Sequence, residues 1–416
     1  MNKIYTRIKN CRICGEKKLV KIIDLKNQYI QGLFVKIGDP KPYSKKIPLQ
    51  LVLCKNCSLV QLHHSTDKDI LYKKYWYQSG VNKTMKDHLH GIVKILINYF
   101  RKQKKKIYVL DIGCNDGTLL NFYPKKIKKY GIDPSQIINK IDKKEIKIFR
   151  DFFPPTKEKF KKLKIKFNII TSIAMFYDLD DPNYFVKEIK NYLNEHGIWV
   201  FELSYLVDML KLNSFDTICH EHLEYYSLTS INYLLKKHKL KIFKVMRNKI
   251  NGGSVRCFVT HEKNSKFDTK KDHNKIKNLL TKEKKIKINS EYPYKKFIKR
   301  INKIKKQTID LLKKLKNQNK EIHIYGASTK GNTILQWYGI DKNLIKYAAD
   351  RNREKWGAHT IGSKINIISE RQSKLMNPDY YFVLPWHFKK EFIQREKKFL
   401  NSGGKMIFPL PKIKIY

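Results

Sequence analysis

Ile107-Tyr108-Val109-Leu110-Asp111-Ile112-Gly113-Cys114-Asn115-Asp116-Gly117-Thr118-Leu119-Leu120 is the stretch whose reading decides the fold. An apolar, β-branched run ends in Asp111, passes through a D-x-G-x-x-x-G turn and enters a segment of helical character. Thirteen residues beyond Gly117, Tyr130-Gly131-Ile132-Asp133 repeats a short strand closed by an acid. Strand, glycine turn, helix, strand and acid form the first unit of a nucleotide-binding α/β sheet. Gly113 and Gly117 let the backbone approach a ligand where a Cβ would collide. A carboxylate at Asp133 is placed to take both hydroxyls of a ribose.

The spacing separates two cofactors. A dinucleotide turn has G-x-G-x-x-G, with a glycine where this chain has Asn115. Asp111 and Asp116 make the turn acidic, which repels a pyrophosphate but suits a cationic sulfonium bearing an amino group. The turn resembles motif I of the class I S-adenosylmethionine (SAM) methyltransferases, which implies SAM lying along Asp111, Gly113, Asn115 and Gly117 with Asp133 on its ribose. A third strand over 146–149 leads to Asp151 and Phe152, an acid and an aromatic suited to an adenine. Ser172 ends a fourth strand and joins the expected cofactor set. The Met175-Phe176-Tyr177 loop then falls where active-site loops belong in such sheets. A fifth strand covers 197–202, and two more, over 240–245 and 255–260, bracket the turn Asn251-Gly252-Gly253-Ser254.

With 88 Lys and Arg against 37 Asp and Glu, the chain carries a net charge of +51. A basic balance on this scale points first to nucleic acid. Here the excess is mostly Lys, spread along the whole chain, and accompanied by many Ile and Asn residues, as drift in an AT-rich genome produces. The expectation is therefore no nucleic-acid partner, and a field that favours an anionic small substrate. No apolar run approaches the roughly 20 residues of a membrane helix, and Met1–Asn10 lacks the apolar core of a secretory signal. These features predict a cytoplasmic protein, with no membrane partner, acting as a monomer or small homo-oligomer.

Cys11-Arg12-Ile13-Cys14 and Cys54-Lys55-Asn56-Cys57 are two C-x-x-C knuckles, each able to aim two thiolates at one ion. Two knuckles complete a closed tetrahedral site, so Cys11, Cys14, Cys54 and Cys57 predict structural zinc. Residues 72–82 concentrate Tyr75, Trp76 and Tyr77 with Ser, Gly and Asn, a packed loop or a wall for a sugar ring. Further on, Cys219-His220-Glu221-His222-Leu223-Glu224-Tyr225-Tyr226-Ser227 gathers titratable groups that a core does not need. H-x-H on a strand would aim both rings at one face and allow a metal. No third ligand is evident, and an imidazole oriented by a carboxylate and acting as general base suits the pattern better.

A second unit begins at Glu321. His323-Ile324-Tyr325-Gly326-Ala327-Ser328-Thr329-Lys330-Gly331-Asn332 is again strand, turn and helix, with hydroxyls and a Lys where the first turn has acids. That composition suits phosphate, so Ser328, Thr329, Lys330 and Asn332, with Asp350 at the following strand tip, form the expected substrate-binding set. The resulting division is a zinc module (1–70), an aromatic loop and helix (71–104), a methyltransferase domain (105–261), a Lys-rich helical connector (262–320) and a C-terminal Rossmann-like domain (321–416).

Over nearly its full length the chain resembles the bacterial SAM-dependent sugar C-methyltransferases, whose type case is NDP-4-keto-2,6-dideoxyhexose 3-C-methyltransferase. The resemblance rests on C-x-x-C…L-C-x-x-C, Y-x-Y-x-S-G-x-N, L-D-I-G-C-N-D-G, H-E-H-x-x-Y-Y-S, N-G-G-S-x-R, Y-G-A-S-x-K-G-N and the final G-G-K-M-I-F-P-L-P. It implies an α/β fold in which a class I methyltransferase sheet lies between an N-terminal zinc module and a second, C-terminal Rossmann-like domain. It also implies a nucleotide-sugar substrate between the last two domains and His222 as base. On this reading Glu221 or Glu224 holds the imidazole, and Tyr77, Tyr75 or His220 donates to an enolate oxygen. Two positions depart from the family: Cys219 stands where Tyr is common, and Met175-Phe176-Tyr177 where a His is common. The sugar and its acceptor carbon stay open.

Overall fold

The computed structural model describes residues 4–36, 38, 45–72, 78–81, 83–156 and 158–416. Val109, Leu110 and Ile112 are all but inaccessible, because Tyr108–Ile112 lies inside a largely parallel sheet covered on both faces. From edge to edge the sheet runs Leu240–Asn248, Ser254–His261, Leu193–Ser204, Phe167–Ile173, Tyr108–Ile112, Lys128–Ile132 and Ile146–Phe149. Ser254–His261 pairs antiparallel with both of its neighbours. Strand order reverses between Tyr108–Ile112 and Phe167–Ile173, and the crevice at their carboxyl ends is where such sheets bind ligands. The helix after the glycine turn is a single turn, Thr118–Asn121. Pro124 follows at once, and its missing N–H and fixed φ prevent continuation.

Two further sheets borrow strands across the expected boundaries. The N-terminal sheet runs Glu224–Tyr225, Val60–Leu62, Ile47–Cys54, Leu19–Gln28, so its first strand comes from the middle of the chain. The C-terminal sheet has eight strands, and its last, Phe34–Lys36, comes from the N-terminal region and pairs antiparallel with Ala358–Thr360. In both places an added strand covers backbone groups that would otherwise be a bare edge. The parallel part of this sheet centres on Ile322–Tyr325, flanked by Tyr347–Asp350 and Tyr380–Val383.

The connector is two helices, Lys270–Lys285 and Tyr292–Asn317. Phe297, Ile301, Ile304 and Leu312 form the buried stripe of the second. The first buries Glu283, whose carboxylate accepts from Tyr205 Oη (2.5 Å), Leu228 N (2.7 Å) and Thr229 N (2.8 Å) and so caps the helix Leu228–Lys237. No described helix is long and apolar enough to cross a membrane.

Candidate active site

At the crevice, Gly113 and Gly117 hold φ of 70° and 74°, a left-handed backbone that side chains resist. A Cβ on Gly117 would lie 3.2 Å from Ile141, and one on Gly113 3.0 Å from Met175. The glycines are thus required by the protein's own packing around the turn as well as by any ligand. Asp133 closes the turn: Oδ2 accepts from Asn115 N (2.9 Å), and Oδ1 accepts from Ser135 N (2.8 Å) and Ser135 Oγ (2.6 Å). A carboxylate offers about four acceptor positions, so these three bonds leave Asp133 one where the sequence expected it to take two hydroxyls. Asp111 accepts from Thr171 Oγ1 at 2.5 Å. Burial, assisted by the charge of Asp133, pushes the Asp111 carboxyl up to about 7. A cation entering the turn would relieve that cost.

The loop before the sheet docks on the same turn. Ser79 N donates to Asn115 Oδ1 (3.0 Å) and Gly80 N to Asp116 Oδ2 (2.7 Å). Tyr75 and Tyr77 lie outside the described residues. Asp151 is occupied locally, accepting from Thr156 N (2.9 Å) and Phe152 N (2.9 Å), while the Phe152 ring lies under Lys68 Nζ at 4.6 Å. Ser172 is elsewhere: it is fully buried and accepts from Trp199 Nε1 at 2.9 Å, on the core side of its strand.

The histidine motif is a turn, with only Glu224–Tyr225 in a strand, so its two rings diverge. His220 is fully buried; its Nδ1 is 2.8 Å from Gln31 Oε1 and its Nε2 3.3 Å from the Ile47 carbonyl. Burial holds it down to about 4. These contacts fix the N-terminal segment and leave His220 no ring nitrogen for a substrate. His222 is half-buried. Its Nδ1 is 2.8 Å from the Thr217 carbonyl, so the proton sits on Nδ1 and the lone pair on Nε2. Its ring meets Tyr177 edge-on at 4.4 Å. Burial first, then the charge of Lys330, holds it down to about 3. The partner of Nδ1 is thus a backbone carbonyl, not Glu221 or Glu224. Glu221 packs over Gly32, where a Cβ would meet its Oε1 at 2.1 Å, and burial raises its carboxyl to about 7. Glu224 turns toward Arg12, 3.6 Å away.

From the other side, the helix Thr329–Tyr338 presses its first turn on this loop, with Thr333 Oγ1 donating to the Ile218 carbonyl at 3.0 Å. Ser328 Oγ is spent on its cap, accepting from Gly331 N at 3.0 Å, and Thr329 is half-buried. Asn332 Nδ2 donates to the Gln31 carbonyl (2.7 Å), tying the N-terminal segment to this helix. Lys330 is directed at the histidine loop: its charge lowers the affinity of His222 and His387 for protons and steadies the Asp216 carboxylate. Asp216 Oδ2 accepts from Trp386 Nε1 (2.9 Å). Asp350 repeats the role of Asp133, accepting from Ala327 N (2.9 Å) and Asn352 N (2.8 Å), with Lys355 Nζ 3.6 Å away.

A second buried cluster had no reading in the sequence. Glu202, near the carboxyl end of its strand, takes His88 Nε2 at 2.6 Å, Arg256 Nε at 2.8 Å and Asn248 Nδ2 at 2.9 Å. Arg256 is the Arg of N-G-G-S-x-R, the one signal that pointed to it.

In the N-terminal region the four Sγ atoms of Cys11, Cys14, Cys54 and Cys57 lie within 4.8 Å of one another, with Cys11–Cys57 at 3.5 Å and Cys14–Cys54 at 3.4 Å. Zn–S bonds of about 2.3 Å in a tetrahedron place sulfurs about 3.8 Å apart, so the set fits a closed four-thiolate zinc site. Among the described residues it is the only group of three or more His, Cys, Asp or Glu gathered at metal-binding distance. The H-x-H metal reading has no support there.

An acidic glycine turn at the switch point of this seven-stranded sheet defines a class I SAM-dependent methyltransferase. Three family models cover the chain in succession: a zinc binding domain (11–72), a methyltransferase domain (85–245) and a C-methyltransferase C-terminal domain (249–411). The chain is 27% identical over 421 residues to the C-methyltransferase NovU of Streptomyces niveus, across 100% of this chain and 98% of that one. With a tRNA U34 carboxymethyltransferase of Campylobacter lari it shares 31% identity over 131 residues, 27% of this chain and 40% of the other. A solved SAM-dependent methyltransferase from Clostridium acetobutylicum aligns at 15% identity over 44% of this chain and 93% of its own, with a TM-score of 0.33. The chain is a SAM-dependent methyltransferase, similar along its length to a C-methyltransferase.

One expected result bears on the cofactor turn alone. Asp133→Ala removes the carboxylate that orders Asn115 and that the sequence expects on the ribose. Charge-assisted hydrogen bonds are worth about 1.5–3 kcal/mol, so calorimetry should find SAM binding weakened roughly 10- to 100-fold. Unchanged affinity would place the ribose elsewhere.

Proposed function

We propose that this enzyme C-methylates a nucleotide-linked keto-sugar held between the methyltransferase and C-terminal domains. The observation that carries the reading is His222: a neutral imidazole whose Nδ1–H is fixed on the Thr217 carbonyl, which puts the lone pair on Nε2, within reach of the charge of Lys330 from the second α/β unit. A ketone acidifies the neighbouring C–H. His222 Nε2 takes that proton, the bond pair becomes the C=C of an enolate, and charge builds on the carbonyl oxygen. When bound, SAM supplies a methyl group that the enolate carbon can take, leaving a neutral thioether. Thr217 and Tyr177 hold the imidazole in place, and Lys330 lends positive charge to the same side of the cleft as the substrate's anionic end.

The test is incubation with methyl-labelled SAM and a panel of nucleotide-linked keto-sugars, with mass spectrometry locating the label. Label on carbon supports the proposal; label on oxygen, or on RNA alone, defeats it. In the same assay, Lys330→Ala should raise KM for the sugar nucleotide by about tenfold or more while SAM affinity stays put, the signature of lost substrate binding. Equal loss of SAM affinity would assign Lys330 to the cofactor side.

A further inference from the structure

The loop that carries His222 is anchored on the metal module. Glu224–Tyr225 pairs with Val60–Leu62 in the N-terminal sheet, Glu224 opposite Gln61 and Tyr225 opposite Val60, and Leu62 N donates to the Leu223 carbonyl at 2.8 Å. Val60–Leu62 follows directly on the second knuckle, and Ile47–Cys54, its other neighbour, ends at a metal ligand. Arg12, inside the first knuckle, reaches the same place: Nε stands 3.6 Å from Glu224 Oε1, with both side chains almost wholly buried. Its Nη1 donates to the Leu62 carbonyl (2.8 Å) and its Nη2 to Ser65 Oγ (2.8 Å). Among the described residues, neither Arg12 Nε nor Glu224 Oε1 has a hydrogen-bond partner.

Burial pushes the Glu224 carboxyl well up, with the Arg12 guanidinium working against it, and a pair at that separation, without a hydrogen bond between its members, recovers little of its desolvation cost. An apolar pair would serve stability as well, which leaves registry as what the ion pair adds. Glu224 is two residues from His222, and the Leu223 and Glu224 amides both donate to the Tyr177 carbonyl (2.8 and 3.0 Å), beside the ring that flanks His222.

We infer that Arg12 and Glu224 are positioning residues: through them, and the strand Glu224–Tyr225, the metal knuckles set where the His222 ring stands. The inference rests on His222 being the base, and its test separates the two. Full-length, zinc-loaded protein with isotope-labelled histidine is titrated by NMR, and His222 is assigned by the signal lost in His222→Asn. The groups facing that ring are the Thr217 carbonyl, the Tyr177 ring and Lys330. In Glu224→Gln and Arg12→Lys a loosened loop admits water, and the ring pKa should rise by about one unit or more toward its ordinary value. The same variants should lose about tenfold or more in kcat, with KM and SAM affinity within about twofold. Glu283→Gln, which removes another buried carboxylate, should lower Tm without moving His222. An unmoved ring in either folded variant, or an equal shift in Glu283→Gln, overturns the inference. Normal turnover in His222→Asn combined with a moved ring removes the base and leaves the coupling standing.

Discussion

His222→Asn should lower kcat for methyl transfer by about 100- to 10,000-fold, the usual contribution of a positioned general base, while SAM binds as before. Asn keeps roughly the size of the ring and a donor for the Thr217 carbonyl but has no group to accept a proton. In D₂O the wild-type enzyme should also wash deuterium into the carbon next to the ketone without methyl transfer, and the variant should not. Glu221→Gln should cost less, because the structure gives the orienting contact to a backbone carbonyl. The pH dependence follows from burial. With His222 held down to about 3, its neutral form persists well below the ordinary value near 6.5, so its own protonation should not limit kcat/KM of the free enzyme until strongly acid pH. Stability carries the opposite sign: an unfolded His222 takes a proton near 6.5 and the folded one does not, so its contribution is whole above that pH and fades as pH falls toward 3. A kcat/KM profile falling through pH 6.5 while the protein stays folded would point to another base.

Removing the metal should have the other large effect. Four sulfurs are gathered within 4.8 Å, three of them on buried cysteines. Without an ion they cannot all be thiolates: Cys57 rises well above the ordinary thiol range, chiefly through its hydrogen bond to Cys11 and through burial. Zinc thiolate sites in small domains contribute about 10–16 kcal/mol at neutral pH, comparable with the whole stability of a typical protein, about 5–15 kcal/mol. Cys54→Ser should therefore leave mostly insoluble chain, and any folded fraction should melt at least about 10 °C lower. Purified wild-type protein should contain a single zinc per chain by metal analysis; metal-free protein melting unchanged would refute the site. Because the N-terminal sheet also carries the strand after His222, the surviving fraction should turn over slowly as well.

Much of this was legible in the sequence, for local reasons. Val109-Leu110-Asp111 announces a strand because β-branched and apolar residues run into an acid at its tip, and each C-x-x-C closes within one turn. An H-x-H alternation on a strand would aim both rings at one face, yet those residues form a turn and the rings part, His220 into the core and His222 against Tyr177. Ser172, at a strand tip, had two faces available; the indole of Trp199 decided between them. Neither Phe34–Lys36 nor Glu224–Tyr225 leaves a periodic signal, because three- and two-residue strands are set by the distant edge they cover. The Arg12–Glu224 contact, 212 positions apart in the chain, was hidden for the same reason.

The strands lent between sheets bear on how the molecule comes apart. Cutting near residue 70 would strip Phe34–Lys36 from the C-terminal sheet and expose its edge; cutting near 261 would leave Glu224–Tyr225 with the N-terminal half but cost Phe34–Lys36 its partner strand. Neither fragment inherits a complete set of hydrogen-bonded edges. Separately expressed pieces should therefore aggregate, the intact chain should melt in one transition rather than three, and exchange of a single domain with a relative should fail unless the lent strand travels with its host sheet.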